Sequence, residues 1–165
     1  SASDDQARGP ITYTSNAGLL RIAFGRYLQS LDFVRPDKIG AVGFCAGGGN
    51  VWNLAINLPE LAAGVPFYGA PVPPADQVEK IQAPILALYA ETDRNLTLQM
   101  TSIVPQMINL RKTFGYVIYE GAAHAFHNDT GAAYNSAAAC DAWGRTLTWF
   151  TKFLGAPMVR PALPA

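Results

Sequence analysis

Charge is scarce in this 165-residue sequence, and the little that is present is balanced. Charged residues make up 15% of the chain, and its 12 basic and 12 acidic side chains cancel at neutral pH. A polyanion such as nucleic acid, or an acidic membrane surface, is held by an excess of positive charge that this composition does not offer. We therefore expect no nucleic-acid partner and favour a neutral small molecule.

Long apolar runs and a leader-like start are also missing. No apolar run reaches the roughly 18 residues that a membrane span needs. The polar segment 1–9 lacks the charged-then-apolar layout of a signal peptide. The sequence therefore predicts a soluble protein without a membrane partner.

Cysteine is rare as well, since the chain has only Cys45 and Cys140. They lie far apart in different contexts, so neither a disulfide framework nor metal-ligand spacing is indicated. A reducing, cytoplasmic compartment is the expected location. The glycine run 47–49 lacks the Lys-Ser/Thr pair and the glycine spacing of nucleotide-binding loops, so we predict no cofactor and no metal.

Half of the residues are apolar, which is enough for one core without cross-links and predicts a single domain over 1–165. Strand-like and helix-like patterns alternate along this domain. The predicted elements are a helix over 16–31, a strand over 39–45, a helix ending near Pro59, strands over 62–69 and 84–90, a helical stretch containing Met100 and Leu110, a strand over 116–120 and a last helix ending at Gly155.

Two prolines modify this pattern. Pro66 lacks the backbone N–H of a regular central strand, so we expect it to mark a bulge in strand 62–69. Pro105 must lie in the first turn of a helix or kink one.

Alternating strands and helices predict a mostly parallel sheet with helices on both faces, because a crossover helix joins parallel neighbours. In such sheets the reactive groups gather at the carboxyl ends of the strands. Cys45, Asp93 and His124 each follow a predicted strand. We therefore expect these three side chains to meet at one edge of the sheet.

The segment Gly43-Phe44-Cys45-Ala46-Gly47 matches a nucleophile elbow with Cys in place of Ser. A sharp strand-to-helix turn would raise the Cys45 side chain above the sheet, and small residues at 43 and 47 would allow the backbone to pass close to neighbouring elements. The helix N-terminus would favour the thiolate. The N–H of Ala46 would donate to a developing oxyanion.

A nucleophile followed by an acid and then a histidine is the chain order of α/β-hydrolases. His124 would move protons between sulfur, leaving group and water, while Asp93 would orient its ring. Two alternatives stay open, because His127 could be the base and Glu91 could be the acid.

Other chemically distinctive residues receive simpler interpretations. Cys140 is expected to pack in its Ala-rich helix, and Asp129 to be a solvated loop residue. The remaining expectations concern aromatic side chains: a substrate pocket is predicted to be lined by Trp52, Tyr68 and Phe126, and the core to be filled by Trp143 and Trp149.

Four segments together resemble the dienelactone hydrolase family: IGAVGFCAGGG at 39–49, FYG at 67–69, AETD at 90–93 and YEGAAHAF at 119–126. The resemblance covers about residues 16–155. It implies an α/β-hydrolase fold, present only in part, and a triad carried over to Cys45, Asp93 and His124. The implied activity is hydrolysis of a small carboxylic ester or lactone through a thioester acyl-enzyme.

Two departures from that family are visible. Its members carry further strands, an oxyanion-hole donor and an acidic residue before the segment that opens this chain. Members that cleave dienelactone place an arginine soon after the catalytic histidine, where this chain reads His127-Asn128-Asp129. This difference does not favour dienelactone as the substrate.

The absent strands have two consequences. Strand 39–45 would become an edge, which is an aggregation hazard unless it is covered. We expect a homodimer to cover it, or residues 11–15 (ITYTS) to fold back as a replacement strand. The incomplete oxyanion hole leaves open a catalytically weak or dead scaffold, and redox signalling through Cys45 is a third alternative.

Overall fold

The computed structural model describes the backbone of residues 16–155 and the side chains of residues 22–155. Helices and strands alternate through this range, as predicted. A 3-10 helix over Ala75–Lys80 adds a short turn before the third strand. The elements are α1 (Asn16–Gln29), β1 (Gly40–Phe44), α2 (Ala46–Asn57), β2 (Ala63–Phe67), β3 (Ile85–Ala90), α3 (Arg94–Ser102), α4 (Val104–Asn109), β4 (Phe114–Tyr119) and α5 (Ser136–Leu154).

The four strands form one parallel sheet in the order β1-β2-β3-β4, so that strands consecutive in the chain are neighbours in space. β2 and β3 are buried along their whole length, which explains why their sequences are apolar at every position. All four carboxyl ends lie at the same edge. The elements that follow β1, β3 and β4 carry Cys45, Asp93 and His124 to that edge.

Helices cover both faces of the sheet, and two glycines show this directly. A Cβ on Gly40 would meet Phe150 and Leu154 of α5, whereas one on Gly64 would meet Val51 of α2. Gly40 is paired with Ala63 and Gly64 is the next residue, and successive side chains of a strand point to opposite faces. α2 and α5 therefore lie on opposite sides, which confirms the predicted α/β architecture.

The expected bulge at Pro66 is not present. β2 keeps one register along β3, with Gly64 opposite Ile85 and Phe67 opposite Leu88, and Pro66 pairs with Gly43 of β1. The N–H groups of Gly64 and Tyr68 both donate to carbonyls on the β3 side. Pro66 lies between them on that side, so its missing N–H costs one rung of the ladder without shifting the register.

Pro105 lies in the first turn of α4, one of the two outcomes expected for it. The helical stretch divides there, because Ile103 is both the C-cap of α3 and the N-cap of α4. At the other end of the chain, the Asn135 side chain accepts a hydrogen bond from the N–H of Ala138 and begins α5. Gly155, with φ at 91°, ends that helix as predicted.

β1 lies at one edge of the sheet within residues 16–155, with β2 as its only strand neighbour there. Val42 and Phe44 on this strand are 39% and 38% exposed. The segment 11–15, which we expected as a replacement strand, lies outside the described residues. Across the part of the chain that the structure describes, none of the helices has the length and apolar character of a membrane span.

Candidate active site

Cys45 occupies a sharp turn between β1 and α2. Its backbone has φ 52° and ψ −121°, a positive φ that residues other than glycine adopt only when surrounding structure imposes it. A Cβ on Gly43 would collide with the carbonyl group of Gly47, so glycine at 43 is what allows the chain to double back. The local geometry is that of the predicted elbow.

The steric requirement at the other end of the motif is different from our expectation. A Cβ on Gly47 would meet nothing within 4 Å, so the backbone does not demand glycine there. The close approach falls on the next two residues, because a Cβ on Gly48 would lie 2.6 Å from the Cα of Gly69, and one on Gly49 would overlap the Ala70 carbonyl. The start of α2 therefore packs directly on the loop that follows β2.

Hydrogen bonds join the same two segments. The Cys45 N–H donates to the Phe67 carbonyl at 3.2 Å, and the Cys45 carbonyl accepts from the N–H of Ala70 at 3.4 Å. Beneath them, the buried Tyr89 hydroxyl donates to the Gly69 carbonyl at 2.7 Å and accepts from Trp52 Nε1 at 3.0 Å. The elbow thus rests on a connected and buried set of contacts.

His124 lies between the other two predicted groups. Its Nε2 is 3.1 Å from Cys45 Sγ, and its Nδ1 is 2.6 Å from Asp93 Oδ2. The side chains of His124 and Asp93 are 45% and 21% exposed, so solvent can reach the site. The structure therefore brings together three residues that are distant in the sequence.

The loops that carry Asp93 and His124 are tied to each other. Both the N–H and the hydroxyl of Thr92 donate to the Ala122 carbonyl, at 3.0 Å and 2.9 Å. Glu91, the alternative acid, accepts the N–H of Gly121 at 2.8 Å instead of contacting the histidine. Geometry therefore favours Asp93 over Glu91.

His127, the alternative base, lies in a different environment. Its ring packs among aromatic rings, with centroids 5.1 Å from Phe44, 5.1 Å from Phe67 and 5.8 Å from Trp143. Within the described residues, the histidine in hydrogen-bond contact with Cys45 is His124. His127 forms part of the wall beside the sulfur.

The electrostatics of the thiol differ from the expectation of a favoured thiolate. Burial raises the pKa of Cys45, and the negative charge of Asp93 raises that pKa further. Both effects oppose the helix N-terminus, which we expected to favour the thiolate. The raised pKa therefore favours the thiol over the thiolate at neutral pH.

Ala46 carries the N–H that we predicted to donate to an oxyanion. Ala46 is the first residue of α2, and the first N–H groups of a helix have no partner within it. This donor follows Cys45 directly in the chain.

In residues 16–155, no group of three or more His, Cys, Asp and Glu side chains is arranged to hold a metal ion.

The three aromatic residues expected in the pocket divide into one that reaches it and two that do not. Tyr68 lines a cavity of about 350 Å³ together with Cys45, and its ring centroid lies 5.0 Å from that of His124. The pKa of Tyr68 is raised to about 12, mainly by burial and to a smaller extent by the charge of Cys45. A hydrogen bond with the His127 backbone lowers this pKa in part. Its hydroxyl therefore remains protonated.

The structure contradicts the prediction that Trp52 and Phe126 line the pocket. They are 1% and 0% exposed and belong to the core, because α2 directs Trp52 toward the sheet and Phe126 packs against Phe67 and Tyr68. Trp143, which we expected in the core, is 42% exposed.

The prediction also missed part of the cavity wall. Its other members are Phe44, Ala125, His127, Asn128 and Asp129. The position of Phe44 beside the nucleophile and that of His127 three residues after His124 were the available signals. An adjoining cavity of about 500 Å³ shares Phe44, His127 and Asp129 with the first and extends to Tyr134, Cys140 and Trp143.

Comparison with known proteins gives the family of this chain. Residues 9–154 match the model of the dienelactone hydrolase family. A relative from Saccharolobus solfataricus, named "Putative carboxymethylenebutenolidase", is 39% identical over 115 residues, which cover 70% of this chain and 44% of the relative. One from Bradyrhizobium, named "Probable 2-oxo-3-(5-oxofuran-2-ylidene)propanoate lactonase", is 36% identical over 135 residues, 75% of this chain and 54% of the relative.

A solved structure supports the same assignment. The crystal structure of a "Putative Dienelactone Hydrolase" from Klebsiella pneumoniae superposes with a TM-score of 0.69 at 28% identity, covering 80% of this chain and 60% of that one. The fold is thus that of the α/β-hydrolases, and the chain spans about half the length of the curated relatives it matches. With its family model matched from residue 9 to residue 154, this chain belongs to the dienelactone hydrolase family.

Proposed function

We propose that this protein hydrolyses small carboxylic esters or lactones, with Cys45 as nucleophile, His124 as general base and acid, and Asp93 as the group that orients His124. The observation that carries the proposal is the position of one imidazole between a sulfur and a carboxylate, at 3.1 Å and 2.6 Å. Those distances lie within hydrogen-bond reach, which nucleophile activation requires.

The proposed mechanism starts from one tautomer of His124. Asp93 accepts the Nδ1 proton of a neutral His124, which leaves the lone pair of Nε2 toward the thiol. Because the pKa of Cys45 is raised, the thiol keeps its proton until a carbonyl carbon approaches. Nε2 then removes the proton as the sulfur attacks, and the charged imidazole that forms is stabilised by Asp93.

The next steps return the site to its starting state. The carbonyl oxygen becomes an oxyanion that the N–H of Ala46 stabilises. As the carbonyl re-forms, the C–O bond to the leaving group breaks, and His124 donates its proton to the departing oxygen. Water, deprotonated by His124, then attacks the resulting thioester. The second tetrahedral species expels the sulfur, which takes the proton back.

The substrate class follows from the family and from the relatives' names. Those names denote enzymes acting on lactones that bear a carboxylate. A lactone is a cyclic ester, so the same steps open it without releasing a separate alcohol. We propose small carboxylic esters and lactones as the class accepted by this chain.

The test is hydrolysis of p-nitrophenyl butyrate, followed through release of p-nitrophenolate. Cys45→Ala is expected to reduce turnover to the uncatalysed background, whereas Cys140→Ala, at an exposed cysteine on α5, serves as the matched control and keeps at least about half of the wild-type rate. Mass spectrometry of rapidly quenched protein should show an acyl group on Cys45. Equal rates for Cys45→Ala and wild type would contradict the proposal.

A catalytically weak scaffold is the second candidate, and one observation favours it. The pKa of Cys45 is raised, which disfavours the thiolate, and Ala46 is the one oxyanion donor that we propose within residues 16–155. Loss of one such donor typically lowers the rate about 100-fold to 1000-fold. No turnover above background between pH 6 and pH 9 would favour the scaffold.

Two further expectations remain predictions. A cytoplasmic location agrees with two free cysteines in the described structure. A homodimer would cover β1, the edge strand on which Val42 is 39% exposed. We expect light scattering to give twice the chain mass, and Val42→Lys to lower the dimer fraction through repulsion between the paired edges. A strictly monomeric wild-type protein would contradict the dimer.

A further inference from the structure

The cavity beside Cys45 contains one carboxylate and no cationic Lys or Arg among its lining residues in the described part of the chain. Asp129 supplies the carboxylate, and the remaining lining side chains are aromatic, small, amide or imidazole groups. Asp129 is exposed. The ion pairs within 4.0 Å in residues 22–155 involve other acids, so the charge of Asp129 is not neutralised by a neighbouring base there.

Asp129 also lies where the two cavities meet. It is shared by the cavity that holds Cys45 and by the adjoining one, together with Phe44 and His127. The walls beyond it are aromatic, with Tyr134 and Trp143 each more than 40% exposed. A substrate whose ester carbonyl approaches Cys45 would place its remaining groups along these rings and close to this carboxylate.

A second negative charge lies on the side of His124 away from the sulfur. Asp93 contacts His124 at 2.6 Å, and its charge already disfavours an anion at Sγ. A substrate carboxylate entering the cavity would approach two acids, with no guanidinium or ammonium group among the lining residues that the structure describes. A neutral group would bury its apolar surface against the rings without this repulsion.

We propose that Asp129 is a specificity-determining residue, which makes the cavity beside Cys45 select uncharged, preferably aromatic or aliphatic, esters and lactones over those that carry a carboxylate. This inference rests on the proposed function and deepens it. It distinguishes the chain from relatives whose names denote carboxylate-bearing lactones. Because Asp129 is exposed, solvent screens its charge, and the expected discrimination is about two-fold to five-fold.

The first experiment compares two substrates that differ only in charge. p-Nitrophenyl hexanoate and the mono-p-nitrophenyl ester of adipic acid have acyl chains of equal length, and only the second ends in a carboxylate. We expect a higher kcat/KM for the hexanoate. Asp129→Asn should reduce the hexanoate-to-adipate ratio about two-fold to five-fold, and Asp129→Lys should reduce it further.

The control variant removes an acid at the amino-terminal end of the strands, whereas the cavity lies at their carboxyl ends. Asp37 lies in the turn before β1, is 67% exposed and changes the net charge by the same amount when replaced by Asn. Asp37→Asn should leave the ratio at its wild-type value. A ratio that Asp129→Asn leaves unchanged, or that both variants change equally, would overturn the proposal.

The second experiment reads the same electrostatics without hydrolysis. Iodoacetamide and iodoacetate alkylate the same thiolate with loss of iodide and differ in one negative charge, and peptide mass spectrometry quantifies the product at Cys45. Asp129→Asn should raise the rate with iodoacetate relative to iodoacetamide about two-fold to five-fold, whereas Asp37→Asn should not.

The two readouts separate the two claims. If no ester is turned over, the proposed function fails, and the alkylation ratio alone decides whether Asp129 selects by charge. If esters are turned over and neither ratio responds to Asp129→Asn, the function stands and this inference is wrong.

Discussion

The three groups that meet at Cys45 and the cavity wall beside them are built in different ways. Both ring nitrogens of His124 are engaged, one by sulfur and one by a carboxylate. The wall includes the partly exposed rings of Phe44, Tyr134 and Trp143 and the exposed Asp129. Rigid, bonded groups suit bond-breaking chemistry, whereas a loosely bonded wall can change without loss of the chemistry. Substitutions should therefore separate turnover from substrate choice.

The largest expected difference is between substitutions of the two histidines. We expect His124→Gln to lower kcat about 100-fold to 10,000-fold, because His124 is the histidine in hydrogen-bond contact with Cys45 Sγ within the described residues. His127→Gln should lower kcat less than about ten-fold and act mainly on KM, since His127 packs among rings of the wall. Steady-state kinetics on one neutral ester measures both. Similar losses of kcat in both variants would erase the distinction.

The two acids near the end of β3 give the next largest effect. We expect Asp93→Asn to lower kcat about 100-fold, because the amide no longer stabilises a charged imidazole. Glu91→Gln should change kcat less than about three-fold, because the amide oxygen can still accept the Gly121 N–H. The comparison would fail if Glu91→Gln proved the more damaging variant.

We also expect Asp93→Asn to shift the pH dependence of Cys45 alkylation to lower pH. The carboxylate disfavours the thiolate and so raises the pKa of Cys45, and its removal should lower that pKa. Alkylation by iodoacetamide consumes the thiolate, so its pH profile should move to lower pH in Asp93→Asn while turnover falls. A profile that moved to higher pH would contradict this assignment of cause.

The alternation of elements and the elbow were predictable because each is local. The apolar run before Cys45 and the glycines around it specify a strand and a tight turn within about ten residues. The meeting of Cys45, Asp93 and His124 required one further rule, that parallel strands bring their carboxyl ends to one edge. That rule needs strand identity only, and strand identity was visible in the sequence.

The depth and exposure of individual aromatic residues were not predictable in the same way. Trp52 and Trp143 both lie on helices and look alike by periodicity, yet they are 1% and 42% exposed. The difference depends on which face of each helix meets the rest of the fold, and periodicity alone does not give that. The raised pKa of Cys45 was likewise hidden, because it sums burial and the charge of a residue from another loop.

The smallest predicted effect concerns Tyr89, whose hydroxyl connects the loop after β2 to helix α2, which follows Cys45. Its hydroxyl bonds Gly69 and Trp52 in the core, and Gly69 packs on Gly48 at the start of α2. Tyr89→Phe leaves a buried carbonyl and a buried indole N–H without their partner, so we expect a loss of about 1–3 kcal/mol in the free energy of unfolding. The loop that carries Tyr68 should loosen, and kcat should fall about five-fold.

Thr146→Val separates that local effect from a general loss of stability. Thr146 is fully buried on α5, and its hydroxyl donates to the Ala142 carbonyl at 2.8 Å, so the variant also removes a buried hydrogen bond while preserving shape. Urea unfolding should show that both variants are destabilised, whereas kcat should fall only in Tyr89→Phe. An equal fall of kcat in both would mean that the site responds to global stability, and Tyr89 would then have no particular part in holding Cys45 against the loop after β2.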